Sequence, residues 1–242
     1  PQAGNTYQGD PFDPVTGKQY EVGVKYQPEG ANAIFTLAGY DLRRQKVPVG
    51  HPEAGTNGIP SSAQIQIGEV VVRGVELEGR GEVRPGWDLT LTGTYTDAEI
   101  TQGTPASGIN PTTTGTRQLG TPEWMASTFV SYDFAANQHS GTLDGLTLGA
   151  GVRYVDGSDG TTTYAFVNGQ NIFNRFTTDS FVLVDAMASL DLGRWHSALS
   201  GAQLAVNVAN LFDEKHVTAC PFNNSCYFGA ARTIVGTLRY EW

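Results

Sequence analysis

The feature that most constrains this chain is an alternation with aromatic ends. From Trp87 to Tyr95, every second residue is apolar or Gly: Trp87, Leu89, Leu91, Gly93 and Tyr95. The residues between them are Asp88, Thr90, Thr92 and Thr94. A period of two marks a β-strand with two unlike faces. At about 3.4 Å per residue, Trp87 and Tyr95 stand roughly 27 Å apart, close to the height of an outer-membrane barrel's apolar band. The last segment, about 232–242, repeats the pattern. Ile234, Gly236, Leu238, Tyr240 and Trp242 make one face; Thr233, Val235, Thr237, Arg239 and Glu241 make the other. A soluble strand would bury such a face in a core. This face grows aromatic at its end, as strands do where hydrocarbon gives way to headgroups.

Seven further segments alternate in the same way, at about 17–27, 33–47, 64–84, 123–134, 145–155, 180–192 and 202–213. The expected fold is therefore all-β: a transmembrane antiparallel β-barrel wall of about nine strands. The connections alternate short and long, the long ones near 48–62, 101–120, 156–178 and 214–229. Barrels place short periplasmic turns on one rim and long external loops on the other, whereas a soluble sandwich has no cause to sort its loops. Glu76, Glu78, Arg80, Arg84, Arg153, Asp185 and Arg239 should line a wet interior, a solvated lattice of mixed sign. Nine is an awkward count. An even number closes a simple bacterial barrel, and an open edge in lipid costs several kcal/mol per unpaired backbone group. The nine strands should thus belong to a larger sheet. The start, Pro1 to Asn5, has neither the basic region nor the apolar core of an export signal. Either the signal has been removed or this is an internal start of a longer chain, and the second reading is the one expected.

Composition removes other classes. The net charge of −9 argues against a nucleic-acid surface, which needs clustered Lys and Arg. No run approaches the roughly 18 apolar residues of a membrane helix. His51, His139, His196 and His216 are scattered among loops and turns, at no spacing suited to a metal or a catalytic triad. The segment 155–160 lacks the frame of a nucleophile elbow, and Thr16-Gly17-Lys18 lacks the rest of a phosphate-binding loop. No enzymatic constellation stands out, so no catalytic residue is expected.

Several segments carry a resemblance. Residues 13–23, DPVTGKQYEVG, look like the strand entry of TonB-dependent siderophore receptors. Arg73-Gly74-Val75-Glu76-Leu77-Glu78 is similar to one of their strands, and Asn210-Leu211-Phe212-Asp213-Glu214-Lys215 resembles their penultimate segment. Cys220 to Cys226, followed by residues 227–233, resembles their last external loop and strand. The closing Arg239-Tyr240-Glu241-Trp242 fits their aromatic end. The set spans nearly the whole chain in the family's order and is most similar to ferric-hydroxamate receptors of the ferrichrome or ferrioxamine type.

The resemblance implies that residues 1–242 are the C-terminal portion of a 22-stranded barrel in the bacterial outer membrane. An N-terminal plug, a TonB box and the earlier strands would lie outside this sequence. Its partners would be TonB through that N-terminal region, the plug and remaining strands, and lipid. Ferric siderophore would be the transported ligand, bound at the external loops, with no resident cofactor or metal. Cys220 and Cys226 should form a disulfide, since they sit in an exposed loop exported to an oxidising compartment. Tyr227, Phe228 and Phe222 are candidate siderophore contacts beside that loop. Tyr164, Phe166, Phe173 and Phe176 are candidates in the longest loop. For each, the bland reading is loop self-packing or the aromatic girdle. Two other functions fit the alternation alone: a passive porin-like channel, and a non-transport barrel or adhesin.

Overall fold

The structure, a computed structural model, describes residues 6, 8–30, 32–106, 112–136, 141–161, 165–168, 170–172, 174–222 and 225–241. Nine long strands form the wall: β1 (Thr16–Tyr26), β2 (Asn32–Gly50), β3 (Gln64–Arg84), β4 (Trp87–Gln102), β5 (Trp124–Asp133), β6 (Leu146–Val155), β7 (Phe181–Asp191), β8 (Ala202–Ala209) and β9 (Thr233–Tyr240). Each pairs antiparallel with its neighbour in sequence, so the sheet is a simple meander. Among the described residues, β1 and β9 each carry a ladder on one side only.

Register shows that the alternation is collective. One cross-strand row reads Val24, Leu37, Leu77, Gly93, Ala126, Tyr154, Val182 from β1 to β7. A lower row reads Leu89, Val130, Ala150, Ala186, Val208, Ile234 from β4 to β9. Many of these side chains are exposed: Val24 is 67% accessible and Ile234 64%. A face this apolar and this accessible, running without a break across nine strands, has acyl chains as its solvent. Aromatic pairs mark both of its edges. Trp87 lies 4.7 Å from Tyr132, which meets Phe134 at 4.8 Å, beside the short turns. Tyr95 lies 4.7 Å from Trp124 beside the long loops.

The opposite face is polar. Glu78, Thr92, Ser127 and Arg153 share one row, and Arg80, Thr90, Phe129, Gly151 and Asp185 the next. Arg153 grips Asp185 with two hydrogen bonds, of 2.6 and 2.9 Å. Tyr40 lies flat across Gly74 to reach the Thr96 hydroxyl at 3.2 Å, and a Cβ at Gly74 would strike its ring. The charged row ends earlier than its sequence suggests. A bulge after Glu82 pairs Arg84 with Trp87, which places Arg84 at the aromatic edge of the outer face and not in the interior row.

Strand ends differ in two places from the alternation. β2 runs on to Gly50, carried past the expected loop start by shifted pairing with β3 and by a bond from the Gly50 amide to the Thr104 hydroxyl at 3.2 Å. β8 stops at Ala209, because Asn210 takes a left-handed backbone, φ 53°, that no strand continues. Trp242 lies outside the described residues; the last described aromatic residue of β9, Tyr240, pairs with Ala202. Among the described residues, the short connections hold only small elements, one of them the one-turn helix α1 (Leu192–Trp195), capped by Asp191.

Candidate ligand-binding mouth

The long loops are not bare. Residues 175–177, 159–161, 217–222 and 225–228 assemble, in that order, into a second sheet of four short strands. Two of these come from the loop between β6 and β7 and two from the loop between β8 and β9. The disulfide Cys220–Cys226 ties the last pair together, and Cys220 is buried. Gly160 is the notch that lets the loops meet: a Cβ there would strike the Cys220 carbonyl and the Phe176 ring. The loop after β4 joins the same body. Its Gly120 amide donates to the Asp159 carbonyl at 2.8 Å. Arg175 ion-pairs with Asp159 at 3.4 Å and donates to the Arg117 carbonyl at 3.1 Å. Three external loops therefore form one rim, with Ser158 buried at its centre.

The expected aromatic residues occupy different parts of this rim. Phe222, Tyr227 and Phe228 stand on the disulfide hairpin, 52%, 60% and 78% accessible, where a ligand could reach them. Phe176 is half-buried against Gly160 and packs the loops together. Phe166 pairs by its backbone with Asn171 in a separate two-stranded hairpin, 165–167 with 170–172. Tyr164 and Phe173 lie outside the described residues. Among the described residues, no cluster of His, Cys, Asp and Glu could hold a metal ion.

A cavity of about 510 Å³ lies beneath the hairpin. Segments 177–181 and 214–217 wall it, with Cys220 and Cys226 on one side. Phe181 and His216 pack there as a tilted pair, ring centroids 4.3 Å apart. Neither is among the ligand contacts expected from the sequence. Phe181 shares the inner-face parity of Asp185 and Ser189, and an aromatic at the external end of that row is the signal that could have flagged it. His216 offers no such signal, because only the fold brings it to Phe181. Asp179, Glu214 and Lys215 set the charge of the cavity wall.

The base of the last loop is clamped. The Asn210 side chain accepts the Glu214 amide at 2.8 Å and donates to the carbonyls of Glu214 at 2.9 Å and Ala230 at 3.1 Å. Asp213 accepts the Arg232 amide at 2.8 Å. The Asn210 amide itself donates to Asp185 at 2.9 Å, the carboxylate that Arg153 holds on the inner wall. One continuous chain of hydrogen bonds thus runs from the barrel interior to both ends of the loop that carries the disulfide.

A lipid-facing strand meander, a polar inner wall and a built external rim define a segment of an outer-membrane β-barrel. Comparison with known proteins agrees. The family described as TonB dependent receptor-like, beta-barrel matches residues 1–211. The Ferrioxamine B receptor of Salmonella typhimurium LT2 is 35% identical over 234 residues, covering 97% of this chain and 29% of that protein. The Ferrichrome outer membrane transporter/phage receptor of Escherichia coli K12 is also 35% identical, over 97% of this chain and 27% of its own length. The ferripyoverdine receptor of Pseudomonas aeruginosa, solved with ferripyoverdine bound, shares the fold with a TM-score of 0.73 at 22% identity, over 98% of this chain and 28% of that one. The chain belongs to the TonB-dependent receptor β-barrel family. It spans less than a third of the length of the curated relatives it matches.

Proposed function

We propose that this chain is the C-terminal part of an outer-membrane receptor that takes up ferric siderophores of the hydroxamate type. The carrying observation is the rim: three external loops locked over an aromatic-bearing mouth, on a wall 35% identical to receptors for ferrioxamine B and ferrichrome. On this reading the free edges of β1 and β9 pair with the earlier strands of a 22-stranded barrel. A plug fills the lumen, against the charged row from Glu76 to Asp185. Energy enters through TonB, which engages a segment preceding this chain. Phe222, Tyr227 and Phe228 contact the ligand, with the Phe181–His216 cavity behind them. A folded hydroxamate complex offers a bulky, partly apolar face that exposed rings can cover. The ferric ion arrives inside its ligand, so the protein needs no metal ligands of its own and performs no catalysis.

The test is growth on ferrioxamine B or ferrichrome as sole iron source. A strain lacking the intact receptor should lose growth on one of them, and the TonB-deficient parent should lose it equally. Uptake that survives loss of TonB and follows concentration without saturating would make the barrel a passive channel instead.

A further inference from the structure

A second cavity lies on the opposite side of the wall and far from the mouth. About 560 Å³ in volume, it opens on the outer face beside the short turns, lined by Trp87, Val130, Tyr132, Phe134, Leu148 and Ala150. Three neighbouring strands, β4, β5 and β6, build it. All three lie inside the sheet with both partners present, so closing the barrel leaves it unchanged. The Trp87–Tyr132–Phe134 ring cluster forms one bank. Leu148 continues the same row beside Tyr132, and the small Ala150, one row further into the apolar band opposite Val130, leaves the hollow beneath them.

The crevice continues the lipid-facing surface, and its lining is almost wholly apolar. One charge stands at its edge. Arg84 pairs with Trp87 across the β3–β4 hairpin, which puts their Cα atoms about 5 Å apart. Arg84 is exposed and has no ion-pair partner among the described residues. The bulge after Glu82 is what turns it to this side. A guanidinium at the membrane–water boundary, next to Trp87 at the rim of a shallow apolar hollow, is complementary to a phosphodiester joined to an acyl chain.

We propose that this crevice is a binding site for one glycerophospholipid of the periplasmic leaflet. An acyl chain lies in the hollow over Val130 and Ala150, beneath the row of Trp87, Tyr132 and Leu148, and the phosphate sits on Arg84. The short-turn edge faces the periplasm, so the occupant is a phospholipid and not the glycolipid of the outer leaflet.

The test uses the intact receptor, purified from membranes, stripped by detergent exchange and assayed for retained lipid by mass spectrometry. The wild-type barrel should keep about one phospholipid. Ala150→Phe, which fills the slot, and Arg84→Glu, which reverses the charge, should each cut retention by about tenfold, as loss of a charge-assisted contact or of the cavity implies. Val206→Phe, on the same face but away from the crevice, should leave retention unchanged. Heat-modifiable gel mobility reports folding of each variant, and Arg84→Glu decides the matter if Ala150→Phe does not fold. The proposal is overturned if no lipid is retained, if the retained lipid is the outer-leaflet glycolipid, or if folded Arg84→Glu keeps the wild-type amount.

Discussion

Asn210 is the residue on which the last loop turns. Its left-handed backbone suits Asn better than most residues, and its buried amide satisfies three backbone groups at once. Asn210→Ala keeps the strand but strands those groups, at a cost of about 1–3 kcal/mol per unsatisfied partner. The expected outcome is faster hydrogen exchange over 214–232 with β7 and β8 still protected. Unchanged exchange would show that the clamp does not hold the loop. Gly160 works by absence. Gly160→Val drives a side chain into Phe176 and the Cys220 carbonyl, so the three loops should part. Ligand affinity should fall by about tenfold or more while the barrel still runs as a folded species, as overpacking by a few kcal/mol implies. Neither residue's task was legible beforehand. Asn210 belonged to a recognisable segment, but a motif does not state which carbonyls its amide reaches. Gly160 closes a segment notable in the sequence only for lacking a nucleophile elbow's frame, and a notch exists only once two distant loops meet.

At the scale of the element, the wall was readable because its signal is local. Each strand writes its own lipid-facing parity, and Trp87 with Tyr95 already marked both edges of the apolar band. The external sheet of residues 159–161, 175–177, 217–222 and 225–228 was not readable for the converse reason. Its strands are three to six residues long, its two hairpins meet through a single parallel pairing of Phe222 with Thr161 far apart in the chain, and they have no unbroken apolar face. Arg84 shows a third limit: alternation counted it into the interior, and a single bulge moved it out. The long strands carry a pH dependence of their own. Glu69 lies on β3 well beyond the aromatic edge at Tyr95, outside the apolar band. Gln45 donates to it at 2.8 Å and Thr101 at 2.8 Å, and these bonds hold its carboxyl below the usual range. A lowered folded-state value stabilises above the ordinary carboxylate value and fades as pH falls through the lowered one. Amides at the β2–β3–β4 tips should therefore exchange faster at about pH 3 than at about pH 6, after correction for intrinsic rates, and Glu69→Gln should flatten the difference. Equal protection at both pH values in the unaltered protein would remove Glu69 from this role.

For the whole molecule, the decisive relation is between two faces of one sheet. The outer face is apolar, continuous and edged with rings; the inner face carries Glu78, Arg80, Arg153 and Asp185 in a wet lattice. Two free strand edges in lipid would leave a row of backbone groups unpaired, which fits a wall that other strands complete. Spin labels placed singly along β4, β5 and β6 of the intact receptor, reconstituted in bilayers, read this arrangement directly. Labels at Leu91, Val130 and Val152 should respond to dissolved oxygen and not to a water-soluble nickel chelate. Labels at Thr92, Ser131 and Arg153 should show the reverse, a period-two exchange of accessibility. Uniform accessibility to the chelate along both faces, or oxygen contact on the polar face, would contradict the account.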